Sequence, residues 1–302
     1  MTIPYGNMNL IRTGKVKDVY DNGDTLLFRF SDRISVFDKI IPVMIPDKGA
    51  SICRTSSFWF QTLNAMGIGN HFIQEKGKNE MVVKKFRIFE DSGSRFMIDY
   101  LIPLEFVMRY YVAGSLMDRI RSGKVDYRKL GLSRMPEPGQ MLEDPYFEMT
   151  TKFEKTDRPL DMEEARSIGG LDRYEVMEIK ELILRIDRKI QSDVGKRGLI
   201  HADGKKELAM GPERELCVVD TFGTADEDRF WEESDYRNGK IVELSKEMVR
   251  QYYRESGYHR ELYSAREKNL REPDIPALPD KMVIEVSEMY RKMYERITGK
   301  KW

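Results

Sequence analysis

The chain has 302 residues, 51 of them basic and 51 acidic, with charged side chains at 34%. That length buries a sizeable core and suits two domains better than one. The balanced charge supplies no basic field for nucleic acid, and no apolar run approaches the roughly 20 residues of a membrane span. Cys53 and Cys217 are lone cysteines in apolar surroundings, the opening MTIPYGNMNLIRTGK lacks the apolar core of a signal peptide, and His71, His201 and His259 have no zinc-ligand spacing. A cytoplasmic protein with reduced thiols and no zinc is therefore expected.

In chain order, Leu10–Tyr20 and Thr25–Phe30 are predicted strands about an Asp21-Asn22-Gly23-Asp24 hairpin turn. Lys15 and Lys17 then share one strand face beside Gly14, either as a solvated pair or as contacts for phosphates. The Walker A spacing is absent, and Gly67-x-Gly69 fails the dinucleotide fingerprint. Ser31–Asp38 packs acids, Arg33 and hydroxyls around apolar residues. Ile45-Pro46-Asp47-Lys48-Gly49 is a turn, followed by a predicted helix from Ser51 to about Met66 with Gly67 as its stop. Lys48 and Gly49 at its entrance are either an ordinary turn and cap or an anion site.

Met81–Glu90 and Arg95–Tyr111 read as long strands about an Asp91-Ser92-Gly93 turn, with Phe96–Ile102 as a connection between domains. Arg109 lies in a run that is otherwise apolar, so its charge needs either a structural carboxylate or an anionic ligand, with Gly114-Ser115 as a second donor site. Ser122–Pro159, rich in Pro, Gly and charge, reads as a long loop with partial strands that carries Thr150-Thr151-Lys152 and Asp157. A long helix is predicted from Asp172 to about Lys196, opened by a capping box of Asp172 with Glu175. Its core stripe is Val176, Ile179, Ile183, Leu184, Ile186, Ile190 and Val194. Ser245–Glu255 and Asp280–Ile297 are two further helices, separated by a charged, Pro-containing region, Gly257–Leu278.

The stretch Gly198–Trp231 organises these parts. It reads as strands Leu199–Leu208 and Glu215–Phe222 about a Gly211-Pro212 turn, followed by a polar loop. Asp203, Lys205 and Glu207 are two apart and so share one strand face, with Asp220 available from the neighbouring strand. Such a face is either a solvated strand of alternating charge or a seat for a Mg2+-bound polyphosphate.

Gly14–Tyr20, Asp32–Asp38, Ile45–Gly49 and Arg109–Ser115, continued by Thr151-Lys152, Asp203–Glu207 and Asp220–Trp231, resemble in order and spacing the motifs of SAICAR synthetases. These are the phosphoribosylaminoimidazole-succinocarboxamide synthases of purine biosynthesis. The end, Thr298–Trp302, is similar to that of the longer, yeast-type members.

The resemblance implies an α+β fold related to ATP-grasp enzymes, with a small antiparallel β domain over residues 1–98 and a larger α+β domain over 99–302. It implies ATP between the domains and a ligase that joins the carboxylated ribotide CAIR to L-aspartate, releasing ADP and phosphate. By the same resemblance, Lys15 and Lys17 contact the ATP phosphates and Glu207 and Asp220 hold Mg2+. Lys205 lies near the transferring phosphate, and Asp203 contacts the CAIR ring or ribose. Arg109, Ser115 and Arg229 take the ribotide phosphate, Asp38 and Lys48 belong to the substrate pocket, and adenine meets the Phe96–Ile102 connection. Lys205, Asp203 and Arg229 are the residues expected at the reacting centre. The implied partners are small molecules, with no nucleic acid and no membrane, in a monomer or small homo-oligomer.

The chain departs from the family pattern in the central stretch. The family strand reads Asp-Thr-Lys-Phe-Glu-Phe-Gly, against Asp203-Gly204-Lys205-Lys206-Glu207-Leu208-Ala209 here. Thr221 stands where a second acid is usual, Ala225 replaces Pro, and Glu227-Asp228 replace two serines. Two acids beside Arg229 are expected to weaken its attraction for an anion or to engage it in an ion pair. A paralogous ligase using another amine or carboxylate, a weakened nucleotide-binding homologue and, more distantly, a kinase are the competing expectations.

Overall fold

A computed structural model describes residues 8–89, 97–154, 156–244 and 246–302. The chain opens with strands β1 (Asn9–Thr13), β2 (Lys17–Asn22), β3 (Thr25–Phe30), β4 (Arg33–Val36) and β5 (Lys39–Met44), then enters helix α1 (Lys48–Ala65). Strands β6 (Phe72–Lys76), β7 (Glu80–Lys84), β8 (Tyr100–Leu101) and β9 (Leu104–Tyr111) lead to α2 (Ser115–Arg121). Next come β10 (Met141–Thr151), α3 (Met162–Gly169), α4 (Arg173–Gly195), β11 (Leu199–Met210), β12 (Leu216–Val219) and β13 (Arg229–Glu232). Helices α5 (Glu233–Arg237), α6 (Glu247–Glu255), α7 (Tyr258–Glu267) and α8 (Asp280–Thr298) complete the order. No described helix is long and apolar enough to cross a membrane.

The chain groups into two compact units, one formed by Met1–Phe58, Phe72–Lys85 and Glu243–Trp302, the other by Trp59–His71 and Phe86–Val242. Helices α6 to α8 thus group with the N-terminal strands, whereas a division at residue 98 puts them with the second segment. The cause is packing around the start of α1. Ser51 Oγ donates to the Tyr290 carbonyl at 2.7 Å and Ser287 Oγ to the Pro46 carbonyl at 2.8 Å. The Arg54 guanidinium lies over the rings of Tyr294 and Trp302.

In the first unit an antiparallel sheet has the order β1-β2-β3-β7-β6, and β4 and β5 form a separate hairpin. The expected strand Leu10–Tyr20 is instead two strands, because Gly14 N–H donates to the Lys17 carbonyl at 2.9 Å and folds β1 back on β2. Helix α1 starts at Lys48, earlier than the expected Ser51, since the Asp32 carboxylate accepts from Gly49 N–H at 2.9 Å and caps it. Helix α7 lies in the region Gly257–Leu278, read only as charged and Pro-containing. Its buried stripe is only Tyr258, Leu262 and Ala265, which is easily lost among charged neighbours.

In the second unit the sheet order is β10-β9-β11-β12, with β8 and β13 also pairing on β11. The expected capping box opens α4: Asp172 accepts from Glu175 N–H and Glu175 from Asp172 N–H. Val176, Ile179 and Ile183 of α4 pack on Leu104, Phe106, Met108 and Leu208 of β9 and β11. The segment read as a long loop contains β10, which pairs along β9 from Thr151 to Tyr146 and then shifts register toward Met141. Pro145 and the acids Glu143, Asp144 and Glu148 masked this strand, because its outer face is charged rather than apolar. A single strand through Arg95–Tyr111 is replaced by β8 and β9, and the Asp91-Ser92-Gly93 turn falls outside the described residues.

Asp172→Ala removes the side-chain half of the capping box, in which the Asp172 carboxylate accepts from Glu175 N–H. It is expected to cost about 1 kcal/mol and to lower the thermal midpoint by about 2–4 °C, measured by calorimetry.

Candidate active site

The site in the second unit is built by strand register. Arg109 of β9 stands opposite Tyr146 of β10 and Asp203 of β11, Val107 opposite Glu148 and Lys205, and Glu105 opposite Thr150. Opposed side chains in an antiparallel pair share a face, and alternate residues along each strand return to it. One face therefore carries Glu105, Arg109, Glu148, Asp203, Lys205 and Glu207. The residues between them, Phe106, Met108, Met149 and Leu208, go to the core. The acid–base–acid spacing in β11 thus has the outcome its periodicity predicts.

Lys205 is the centre of an ion cluster on this face. Its Nζ lies 2.7 Å from Glu105 Oε1, 3.5 Å from Glu207 Oε1 and 3.3 Å from Glu227 Oε2. Lys152, at the foot of β10, pairs with the other oxygen of Glu207. Thr150 Oγ1 donates to Glu105 Oε2 at 3.4 Å. Asp220 follows β12 with φ of 60°, in the left-handed region, which takes it out of the strand's alternation. Its negative field acts on Lys152.

Burial alone would lower both lysines. For Lys205 the carboxylates of Glu227, Glu207 and Glu105 outweigh it and hold the ammonium well above its ordinary pKa. For Lys152, Glu207 and Asp220 do the same. Burial pushes Glu105 up to about 7 against the attraction of Lys205. Lysines held in this way are fixed positive charges rather than bases, so the cluster suits binding an anion and stabilising developing charge.

Farther along the same face is a cluster of arginines. Arg109 Nε donates to Glu148 Oε2 at 2.6 Å, Nη1 to Asp203 Oδ2 at 3.1 Å and Nη2 to Ser115 Oγ at 3.3 Å. Arg229 pairs with Asp203 and Arg119 with Glu148. Gly114 makes the close approach possible: a Cβ there would lie 2.6 Å from Arg229 Nη2. Arg109, Ser115, Asp203 and Arg229 are thus brought together, and three guanidinium groups face two carboxylates. The planar, forked donors that remain are suited to phosphate or carboxylate.

The acids flanking Arg229 do not both lie against it. Glu227 reaches Lys205, while Asp228 is buried with its Oδ2 2.7 Å from His201 Nε2. The expected ion pair of Arg229 is made with Asp203, across the strand register, instead of with a sequence neighbour.

The remaining expected residues belong to the first unit. Lys15 sits in the turn before β2 and its Nζ is 2.7 Å from Asp38 Oδ1, with both side chains half exposed. Lys17 begins β2, with Nζ 4.8 Å from the centre of the Phe28 ring. The turn separates the two lysines, so they do not follow one another along a single strand face. Asp38 and Phe37 form the tip of the β4–β5 hairpin, both in the left-handed region. Lys48 is buried, with its ammonium 5.5 Å from the Tyr290 ring, and the neighbouring Gly49 N–H is taken by Asp32. That observation favours the ordinary cap over the anion site at the entrance of α1. Of the Phe96–Ile102 connection, Phe96 lies outside the described residues.

Sequence reasoning left Glu105, Glu148, Arg119 and Lys152 without roles. The signal was there for the second strand: Tyr146-Phe147-Glu148-Met149-Thr150 alternates with period two, although the surrounding charge and proline hid it.

Comparison with known proteins adds the family. Residues 10–265 match the family model described as SAICAR synthetase. The phosphoribosylaminoimidazole-succinocarboxamide synthase of Thermoplasma volcanium is 60% identical over 98% of this chain and 100% of its own length. That of Thermoplasma acidophilum is 59% identical over the same shares. Among solved structures, the SAICAR synthase of Saccharomyces cerevisiae complexed with SAICAR superposes with a TM-score of 0.74 at 26% identity, covering 100% of this chain and 98% of that one.

A pH experiment tests the buried cluster. The Glu105 carboxyl ionises at about 7 in the fold, against 4.5 for an unperturbed group. Between these values the folded chain retains a proton that the unfolded chain has released, so this group's contribution to stability falls as pH rises through the window. Glu105→Gln is expected to remove that loss, on the order of 3 kcal/mol between pH 5 and pH 8. The check is the difference between the urea midpoints of wild type and variant at the two pH values, and an unchanged difference would assign the titration elsewhere.

Proposed function

The chain belongs to the SAICAR synthetase family, and we propose on that footing that it joins CAIR to L-aspartate at the expense of ATP, giving SAICAR, ADP and phosphate in purine biosynthesis. The observation that supports the residue-level reading is the single sheet face on which the Lys205 cluster adjoins the Arg109–Arg229 cluster.

A carboxylate is a poor electrophile because it is anionic and resonance-stabilised. In the proposed reaction an oxygen of the CAIR carboxylate attacks the γ-phosphorus of ATP and ADP leaves. The aspartate amine then attacks the acyl carbon, and phosphate departs with the carboxylate oxygen. The protein's task is to position these groups and offset their charge. Lys205, kept charged by Glu227, Glu207 and Glu105, neutralises the transferring phosphoryl group and the carboxylate that receives it. Lys15 and Lys17 contact the ATP phosphates. Arg109, Arg229 and Ser115 hold the ribotide phosphate, and Asp203 keeps the two guanidinium groups oriented while facing the ring or ribose. Asp38, at an exposed hairpin tip, is a further substrate contact, whereas the buried Lys48 supports α1 from within.

Glu207 and Asp220 are the residues that would hold Mg2+. They offer hard oxygen donors, and the charge of both acts on the Lys152 ammonium, as expected of acids gathered for a cation. Bound there with ATP, the ion would offset charge on the phosphate oxygens.

The deciding assay is ADP release with ATP, Mg2+, CAIR and L-aspartate, omitting each in turn. Release that needs all four, with a succinylated product, is the expected result. If CAIR supports partial release and aspartate adds nothing, another amine is indicated, and full release without any amine indicates a kinase reaction. If CAIR has no effect, the substrate assignment fails. Asp220→Asn is expected to reduce turnover by on the order of a hundredfold or more with an unchanged thermal midpoint, and near-normal turnover would remove Asp220 from the mechanism.

A further inference from the structure

On the interior side of β11, directly beneath the polar face, lies a second set of charges. The side chains of Lys206, Asp187, Asp228 and His201 are wholly buried. The Lys206 ammonium is paired with Asp187 Oδ1 of α4 and lies 3.3 Å from Asp228 Oδ2. His201 Nε2 is 2.7 Å from the same Asp228 oxygen, and Gly223 N–H donates to Asp228 Oδ1 at 3.0 Å. Tyr110 OH donates to Asp187 Oδ2 at 3.0 Å. Ligand atoms of Asp187, His201 and Asp228 are within 4.8 Å of one another, close enough for a metal ion, but the Lys206 ammonium already serves both carboxylates as their cation.

Such a group is costly to bury, and well-packed apolar side chains commonly replace one without loss of stability. Burial lowers the Lys206 pKa and raises that of Asp228, yet their mutual attraction, with Asp187 and His201, outweighs it and both remain charged. Core packing alone therefore does not account for the pair. Its position does. Asp228 lies between Glu227 and Arg229, and both of these act on the opposite side of the sheet, at Lys205 and Asp203. Asp228 is drawn inward just before β13 begins, while its two neighbours face the other side.

Position 204 is tied to the same contact. A Cβ on Gly204 would lie 2.2 Å from Asp228 Oδ2 and 2.7 Å from Lys206 Nζ, so the ion pair fills the space a side chain there would need. Gly204, Lys206 and Asp228 are also three of the positions at which the sequence departs from the pattern it resembles. In space they meet at one point, where the Lys206–Asp228 pair occupies the room a side chain at 204 would take.

We propose that Gly204, Lys206 and Asp228 form one positioning unit: the buried Lys206–Asp228 pair, braced by Asp187 and His201, sets the segment 223–229 so that Glu227 meets Lys205 and Arg229 meets Asp203. None of the three touches substrate. Their effect on turnover rests on the function proposed above, while their effect on the segment does not.

The test uses the full chain as wild type, Lys206→Met, Asp228→Asn and the double variant, at a temperature where all are folded. Hydrogen–deuterium exchange is read over residues 223–229, and kcat and KM are measured with ATP, CAIR and L-aspartate. Lys206→Met leaves two buried carboxylates without their ammonium. It is expected to speed exchange in this segment about tenfold and to lower kcat by roughly tenfold to a hundredfold, with the ATP KM within twofold of wild type. The double variant, with one carboxylate fewer to strand, is expected to recover part of both losses. Unchanged exchange in folded Lys206→Met, or additive losses in the double variant, overturns the proposal. Should Lys206→Met not fold, Gly204→Ala decides: it is expected to loosen the segment in wild type but not in an Asp228→Ser background, and equal effects in both overturn the coupling. A wild type inactive with these substrates would refute the proposed reaction, and the exchange results would still decide the positioning unit.

Discussion

The antiparallel register of β9 against β11 is the constraint on which the rest of the second unit depends. With Asp203 opposite Arg109 and Lys205 opposite Val107, the charges of both strands collect on one face and the apolar residues meet α4 on the other. A slip of one residue would exchange the two faces, placing carboxylates and ammonium groups against Ile179 and Ile183. The apolar stripe of α4 is thus more than filler, since it makes the only affordable register the one that assembles the site.

The polar face has two parts of different character. Around Lys205, carboxylates from β9, β11 and the loop after β12 converge on one ammonium, and a second ammonium from β10 shares Glu207. Around Arg109, Asp203 and Glu148 hold forked guanidinium groups in fixed orientation. In both parts mutual pairing fixes the orientation of the charged groups. A carboxyl group that ionises at about 7 within this setting shows how much the low-dielectric surroundings resist further negative charge.

The interior charges on β11 extend the same logic to the reverse side of the strand. Alternation places Asp203, Lys205 and Glu207 outward and Gly204 and Lys206 inward, so one strand carries the candidate site on one side and the buried ion pair on the other. A charge run that looks like solvated strand in one dimension is, in three, divided between a site and its support.

Much was legible from residues alone, because it rests on local periodicity. The period-two charges of β11, the turn at Gly211-Pro212, the capping box of Asp172 with Glu175 and the apolar stripe of α4 are all set by neighbours within a few positions. The motifs that resemble SAICAR synthetases added the family and its chemistry. The elements that escaped, β10 and α7, have charge where periodicity would need apolar residues, for β10 belongs to the site and α7 buries only a narrow stripe. The sequence by itself determined which residues carry charge and, for β11, that Asp203, Lys205 and Glu207 share a face. Only the tertiary structure decided which charges meet: that Arg229 turns to Asp203, that Glu227 turns to Lys205, and that Asp228 turns inward to Lys206. Those pairings join residues separated by as many as 26 positions in the chain, and strand register and the exclusion of side chains at Gly204 and Gly114 select them.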